Sequence, residues 1–169
     1  LKPCVELYEK ITALHDIGVI PKIQQLDELH SYIKRKAIDD IEESEQTIRN
    51  KWNGKDLASF YKGVDDLEKL RDYLKQKSCM FDFGNLIDSS EHTEMMETSK
   101  EAKVIMKDHN VQAAEAFLNK WPDSFYIPYI QNEYARLLSC KLTSKSSAKE
   151  KKRILALPMD QETRILLTK

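Results

Sequence analysis

Two groups of histidine and carboxylate side chains are the residues of this chain best suited to hold a metal ion. Helical di-iron sites take ligands from two Glu-x-x-His motifs and two further glutamates that face one core. The nearest match is the segment 27–30, DELH, which begins with Asp, ends with His30 and has no second copy. The second group consists of Glu91, His92, Glu94 and Glu97. Because adjacent residues such as Glu91 and His92 diverge by about 100° on a helix, and neither group fits HExxH, we expect no metal and no other cofactor.

Motifs that carry nucleophilic or nucleotide chemistry are missing from the sequence. The chain has four glycines, and they form neither the GxxxxGK[ST] nor the GxGxxG loop that cradles phosphates. No GxSxG elbow is present, and no Ser or Cys stands in a recognisable catalytic context. The sequence therefore predicts that this chain is not an enzyme.

Opposite charges are segregated into two segments. Residues 82–101 hold six acidic side chains and one lysine, a local net charge of −5, and residues 140–155 hold six basic side chains and one glutamate, a local net charge of +5. The segments could attract each other within one fold, or the basic segment 141–153 could bind an acidic partner or a nucleic acid backbone. Nucleic-acid binding is not favoured, because residues 142–157 contain no aromatic side chain for base stacking. The candidate partner-binding cations are Lys149, Lys151, Lys152 and Arg153.

Aromatic residues are densest between Trp121 and Tyr134. At helical spacing most of these rings should lie in a core, but a tyrosine left on the surface would mark a binding hot spot. The sequence does not show which face each ring takes, so we take Tyr126 and Tyr129 as the candidate partner-binding aromatics.

The histidines have simpler interpretations than catalysis. His30 lies on the apolar stripe of its predicted helix and is expected to be a packed or interface residue. His15 and His109 lie near predicted helix C-termini, where the helix dipole favours an imidazolium.

Scarce glycine and proline, four and five residues, favour long helices over a β-fold. Residues 5–17 place Leu7, Ile11 and Leu14 at helical spacing. Residues 22–52 carry a narrow apolar seam that suits either an intramolecular bundle or a homodimer. Residues 55–77 carry a broader stripe interrupted by Gly63, and the short turn between these two segments predicts an antiparallel hairpin.

Shorter helices are predicted in the second half of the chain. Residues 78–90 are predicted to be a connector with aromatic plugs. The helices expected after it span 91–108, 111–120 capped by Asn110, 125–141 capped by Asp123 with Pro128 in its first turn, 148–157 and 159–168.

The stretch 113–138, AAEAFLNKWPDSFYIPYIQNEYARLL, resembles a tetratricopeptide-like helical hairpin. The likeness lies in Ala114, Phe117 and Leu118 before the WPDS turn, followed by an aromatic helix that contains Ala135. No second copy follows at a period of about 34 residues. The resemblance implies a protein-binding scaffold and brings no catalytic residues.

These patterns predict an all-α protein: a long antiparallel N-terminal hairpin packed with shorter C-terminal helices. Residues 1–169 would form one domain, with a subdivision into 1–80 and 90–169. Three widely spaced cysteines and the lack of a membrane-spanning run favour a reduced-thiol compartment, cytoplasmic or nuclear, although the start at Leu1 suggests that an N-terminal segment is missing. We expect a non-enzymatic protein-interaction or scaffold module, with nucleic-acid association as the alternative.

Overall fold

The protein is described by a computed structural model that covers residues 1–21, 23–52, 56–142 and 146–168. The described residues form ten α-helices and no β-strand, which confirms the all-α prediction. The helices are α1 (Lys2–Asp16), α2 (Gln25–Lys51), α3 (Leu57–Gln76), α4 (Ser78–Phe81), α5 (Gly84–Ile87), α6 (Ser90–Asp108), α7 (Val111–Lys120), α8 (Ile127–Cys140), α9 (Ala148–Leu155) and α10 (Gln161–Thr168). Within this described part, no helix combines the length and the apolar character that crossing a membrane requires.

The chain divides into two compact units, Leu1–Thr93 and Glu94–Lys169, which we call unit 1 and unit 2. The division falls inside α6, so its first turn belongs to unit 1 and the rest to unit 2.

Unit 1 is built on the hairpin of α2 and α3. The end of α2 meets the start of α3, where the rings of Trp52 and Phe60 lie 4.2 Å apart, so the two helices run antiparallel. The completely buried seam of α2 consists of Ile33, Ala37, Ile41 and Ile48. A Cβ atom on Gly63 would lie 3.1 Å from Cγ1 of Ile48, so this glycine allows the two helices to approach closely. The seam predicted for residues 22–52 is thus used inside the unit.

The first helix presents a different face from the one its apolar stripe suggests. Val5 is completely buried, whereas Leu7 and Leu14 remain 51% and 41% exposed. The helix packs on α2, and Val5 and Tyr8 lie on the same side because they are three residues apart. Val5 and Tyr8 therefore lie on the inward face, while Leu7 and Leu14 lie on the outward one.

The segment predicted to be a connector contains two four-residue helices, α4 and α5. Asp82 joins them in the left-handed conformation with φ 51°. The expected aromatic plugs are confirmed: Phe81 and Phe83 are buried, and their rings stack with centroids 5.3 Å apart. Single helical turns of this length carry too few residues to show a period.

Unit 2 contains a second hairpin, made by α7 and α8. Asn110 caps α7 as predicted, since its side-chain oxygen accepts a hydrogen bond from the Ala113 amide at 3.1 Å. The predicted Asp123 cap is wrong: α8 begins at Ile127, after Tyr126, and has no side-chain cap. Pro128 does lie in its first turn, where a missing amide proton costs little. That this hairpin belongs to the tetratricopeptide family stays a prediction.

Two short helices complete unit 2 by packing on α8. Ser147 caps α9 by accepting from the amide of Glu150 at 3.2 Å, and Asp160 caps α10 by accepting from the amide of Thr163 at 2.7 Å. Ile154 of α9 is 6% exposed and anchors that helix in the unit.

Candidate partner-binding site

The first turn of α8 is held in place by a buried tyrosine. Tyr126 is completely buried, and its hydroxyl lies 2.8 Å from Oγ of Ser99 on α6, which is also completely buried. A buried hydroxyl needs such a partner, so this pair fixes where α8 begins. Tyr126 therefore lies in the core rather than on the partner-binding surface expected for it.

Tyr129, three residues further on, lines an open groove of about 380 Å³. The groove lies between α8 and the segment before α10, and its lining residues are Pro128, Tyr129, Gln131, Asn132, Pro158, Met159 and Asp160. One of its walls is tied to α8, because the amide of Asp160 donates to the Asn132 side-chain oxygen at 3.1 Å. The exposed ring of Phe125 lies 6.0 Å from that of Tyr129 and continues the aromatic surface.

The chemistry of this groove suits an apolar or aromatic side chain with a polar edge. Two proline rings, a thioether and a phenol supply apolar contact, while the amides of Gln131 and Asn132 supply donors and acceptors. Ligand sites combine a mainly apolar lining with a few placed polar groups in this way. We call it the Tyr129 groove.

The candidate cations of the basic segment lie on α9 and are all exposed: Lys149, Lys151, Lys152 and Arg153. Burial and the nearby Glu115 raise the pKa of the Tyr134 phenol. The positive charge of Arg153 opposes that rise. Residues 143–145 of the predicted basic segment, including Lys145, lie outside the described residues.

Acidic residues of α6 form ion pairs with α7. Glu101 accepts from Lys120 Nζ at 2.7 Å and from Trp121 Nε1 at 3.2 Å, and the same Nζ lies 4.5 Å from the centre of the Trp121 ring. Glu97 lies 4.0 Å from Lys120 as well. These carboxylates of the acidic segment therefore have Lys120 as their cation, which was not part of the predicted basic segment.

A network of ion pairs surrounds the buried Glu133 in unit 2, and the sequence patterns did not predict it. Both carboxylate oxygens of Glu133, which is 6% exposed, accept from Arg136 at 2.7 Å, and one of them lies 2.8 Å from Nδ1 of His109. Burial alone would raise the pKa of Glu133, but the hydrogen bonds from Arg136 and His109 hold it below its ordinary value. His109 adopts a left-handed conformation with φ 52° after α6, so it does more than complement a helix dipole.

A second buried network lies in unit 1, where His92 meets Glu45 of α2. Nδ1 of His92 lies 2.9 Å from Oε1 of Glu45, with the two side chains 13% and 10% exposed. Arg71 of α3 donates to the backbone oxygens of His92 at 2.9 Å and of Ile87 at 2.7 Å. Burial raises the pKa of Glu45, and the hydrogen bond from His92 opposes that rise.

This pair borders a polar cleft of about 230 Å³, lined by Glu42, Glu45, Gln46, Arg49, Glu91 and His92. Within the described residues, no three His, Cys, Asp or Glu side chains are grouped so as to hold a metal ion. The imidazole of His92 is instead occupied by Glu45, and Ser89 Oγ accepts the His92 amide at 3.4 Å. We interpret the cluster as a polar link from the first turn of α6 to α2 and α3.

His30 is a packed residue, as its place on the α2 stripe indicated. Its ring stacks on Phe81 with centroids 5.2 Å apart and lies 5.6 Å from the ring of Tyr8. Its Nε2 lies 3.4 Å from the Met80 carbonyl oxygen.

Comparisons of this chain with protein-family models, curated proteins and solved structures found no match. Its function is therefore inferred from the geometry of the Tyr129 groove and the α9 cations.

Proposed function

We propose that this chain is a non-enzymatic helical interaction module that binds a partner protein at the Tyr129 groove. The observation that carries the proposal is the position of Tyr129: it lines a cavity of about 380 Å³ between α8 and the Pro158–Asp160 segment. Tyrosine is among the residues that most often dominate binding energy at interfaces, since it offers a rigid apolar ring with a polar end.

The surroundings of the groove support a role in binding. One side of the groove is formed by residues 128–132 of α8, and the buried Tyr126–Ser99 hydrogen bond of 2.8 Å anchors the start of that helix. Its far wall is tied to α8 by the Asp160–Asn132 hydrogen bond. A site with a preformed shape loses less conformational entropy when it binds. A tetratricopeptide-like character of the 113–138 hairpin would fit this scaffold role.

Three free thiols, of which those of Cys79 and Cys140 are exposed, are compatible with a reducing compartment. As part of the same proposal, we assign the module to the cytoplasm or the nucleus.

A photo-crosslinking amino acid at position 129 tests the proposal in cells. We expect it to capture a discrete partner, while the same amino acid at the exposed position of Glu115 on α7 does not. With the captured partner in hand, Tyr129→Ala should weaken binding at least about tenfold, because loss of a hot-spot tyrosine costs about 2 kcal/mol. Equal capture at both positions, or an unchanged affinity of Tyr129→Ala, would show that the groove is not the binding site.

A further inference from the structure

Three of the four cations of α9 are arranged on the side of the helix opposite to its packed face. At about 100° per residue, Lys149, Lys152 and Arg153 fall within one sector of about 100°. The apolar residues Ile154 and Leu155 fall on the other side of the helix. Ile154 packs into unit 2 and is 6% exposed. Packing of Ile154 therefore directs three positive charges outward together.

Among the described residues of unit 2, the ion pairs do not include Lys149, Lys152 or Arg153. Those pairs join Lys120 to Glu97 and Glu101, and join Arg136 and His109 to Glu133. The α9 helix itself contains one acidic residue, Glu150, among four basic ones. It presents a concentrated positive field, which attracts anionic groups and speeds their encounter.

Carboxylates fit this surface better than nucleic acid does. Residues 148–155 contain no aromatic side chain, so the helix offers no stacking platform for bases. Lysine and arginine at helical spacings of three and four residues lie about 5–6 Å apart, within reach of neighbouring acidic side chains on one peptide. The guanidinium of Arg153 can also bind a carboxylate through two parallel hydrogen bonds.

We propose that Lys149, Lys152 and Arg153 bind an acidic peptide segment of the partner protein. This inference rests on the proposed function and adds the charge of the partner to it. The Tyr129 groove and α9 belong to the same unit, and both are built on α8. An acidic segment that carries an apolar or aromatic side chain meets the chemistry of both surfaces.

Fluorescence anisotropy of the whole chain with three labelled probes tests the inference. The probes are a short poly-glutamate peptide, a poly-glutamine peptide of equal length and an oligothymidylate. We expect the poly-glutamate peptide to bind, with an affinity that falls as salt rises from about 50 to about 200 mM, and the poly-glutamine peptide not to bind. The triple variant Lys149→Glu, Lys152→Glu, Arg153→Glu should weaken poly-glutamate binding at least about tenfold.

Two further variants separate a local effect from a general one. The neutral triple variant with Gln at positions 149, 152 and 153 keeps good helix formers and should show a smaller loss than the charge reversal. The matched control is the triple variant Lys10→Glu, Lys62→Glu, Lys75→Glu, whose three positions are exposed in unit 1. It changes the net charge by the same amount and should leave binding within about twofold of the wild type.

The inference is overturned if the poly-glutamate peptide does not bind, or if the unit 1 control loses as much affinity as the α9 reversal. Tighter binding of the oligothymidylate, abolished by the α9 reversal, would overturn it in favour of nucleic acid. Capture of a partner at position 129 would still stand in either case, so failure of the acidic-peptide inference is distinguishable from failure of the proposed function.

Discussion

The link between Glu45 and His92 predicts a pH-dependent cost when the histidine is removed. The two groups are 2.9 Å apart, and their side chains are 10% and 13% exposed, so His92→Ala leaves a carboxylate of low solvent access without its imidazole. Breaking a buried ion pair on one side costs about 3–5 kcal/mol. Because this pair borders an open polar cleft, we expect a smaller loss of about 2–3 kcal/mol near pH 7.

The sign of the pH dependence follows from the direction of the pKa shift. Burial raises the pKa of Glu45 in the folded protein above its unfolded value. Such a group favours folding below its unfolded pKa, and this contribution is lost as the pH rises through the folded pKa. In His92→Ala the opposing hydrogen bond is gone, so the cost should shrink when the carboxyl is protonated at about pH 4.

Urea unfolding followed by circular dichroism, at about pH 7 and about pH 4, measures both free energies. Glu45→Gln removes the buried charge and keeps an acceptor for Nδ1–H, so its stability should stay within about 1 kcal/mol of the wild type. Glu43→Gln changes an exposed carboxylate on the same helix and should shift stability by less than about 0.5 kcal/mol. A pH-independent loss in His92→Ala, or a Glu45→Gln variant as unstable as His92→Ala, would refute the electrostatic reasoning.

Substitutions at three further positions test the ion pairing, packing and capping described above. Because the Arg136 side chain is 41% exposed, Arg136→Ala should cost about 1–2 kcal/mol near neutral pH, less than the loss of one partner of a fully buried pair. The pKa of Glu133 is held below its ordinary value in the folded protein. In urea titrations the loss of stability should therefore shrink as the pH drops through that pKa. An equal loss in acid and at neutral pH would contradict the pairing. Gly63→Ala should lower stability by about 1 kcal/mol in thermal unfolding, because a Cβ 3.1 Å from the buried Ile48 outweighs the gain in helix propensity; a more stable variant would show that the hairpin adapts. Asn110→Ala should cost about 1 kcal/mol and Asn110→Ser much less, and equal losses would argue against a capping role.

The α2–α3 hairpin was predictable because both helices carry long, regular apolar stripes. In α1 the same reasoning chose the stripe of Leu7, Ile11 and Leu14, although the helix buries Val5. A helix of 15 residues with apolar side chains on both faces does not specify from sequence which face its neighbour covers. That choice depends on the shape of α2, which only the folded unit supplies.

The candidate site was predictable in part. The sequence does not distinguish Tyr126 from Tyr129, yet Tyr126 is buried against Ser99 and Tyr129 lines the groove. The exposed cations of α9 follow directly from a charged run with one apolar edge. The Glu45–His92 contact joins residues 47 positions apart. The residues around Glu45 in the sequence therefore do not indicate that His92 is its partner.

The placement of the two tryptophans gives the protein a pair of natural optical reporters. Trp52 is 2% exposed at the turn of the unit 1 hairpin, whereas Trp121 is partly exposed in unit 2 and contacts Lys120 and Glu101. The buried indole should emit at shorter wavelength than the partly exposed one, so the intrinsic fluorescence of the unlabelled chain is a sum of two distinguishable spectra. As denaturant is added, loss of the short-wavelength emission of Trp52 reports the unfolding of unit 1. A change in the longer-wavelength emission of Trp121 reports the unfolding of unit 2. Each unit can therefore be followed in the intact protein without a dye or a truncation.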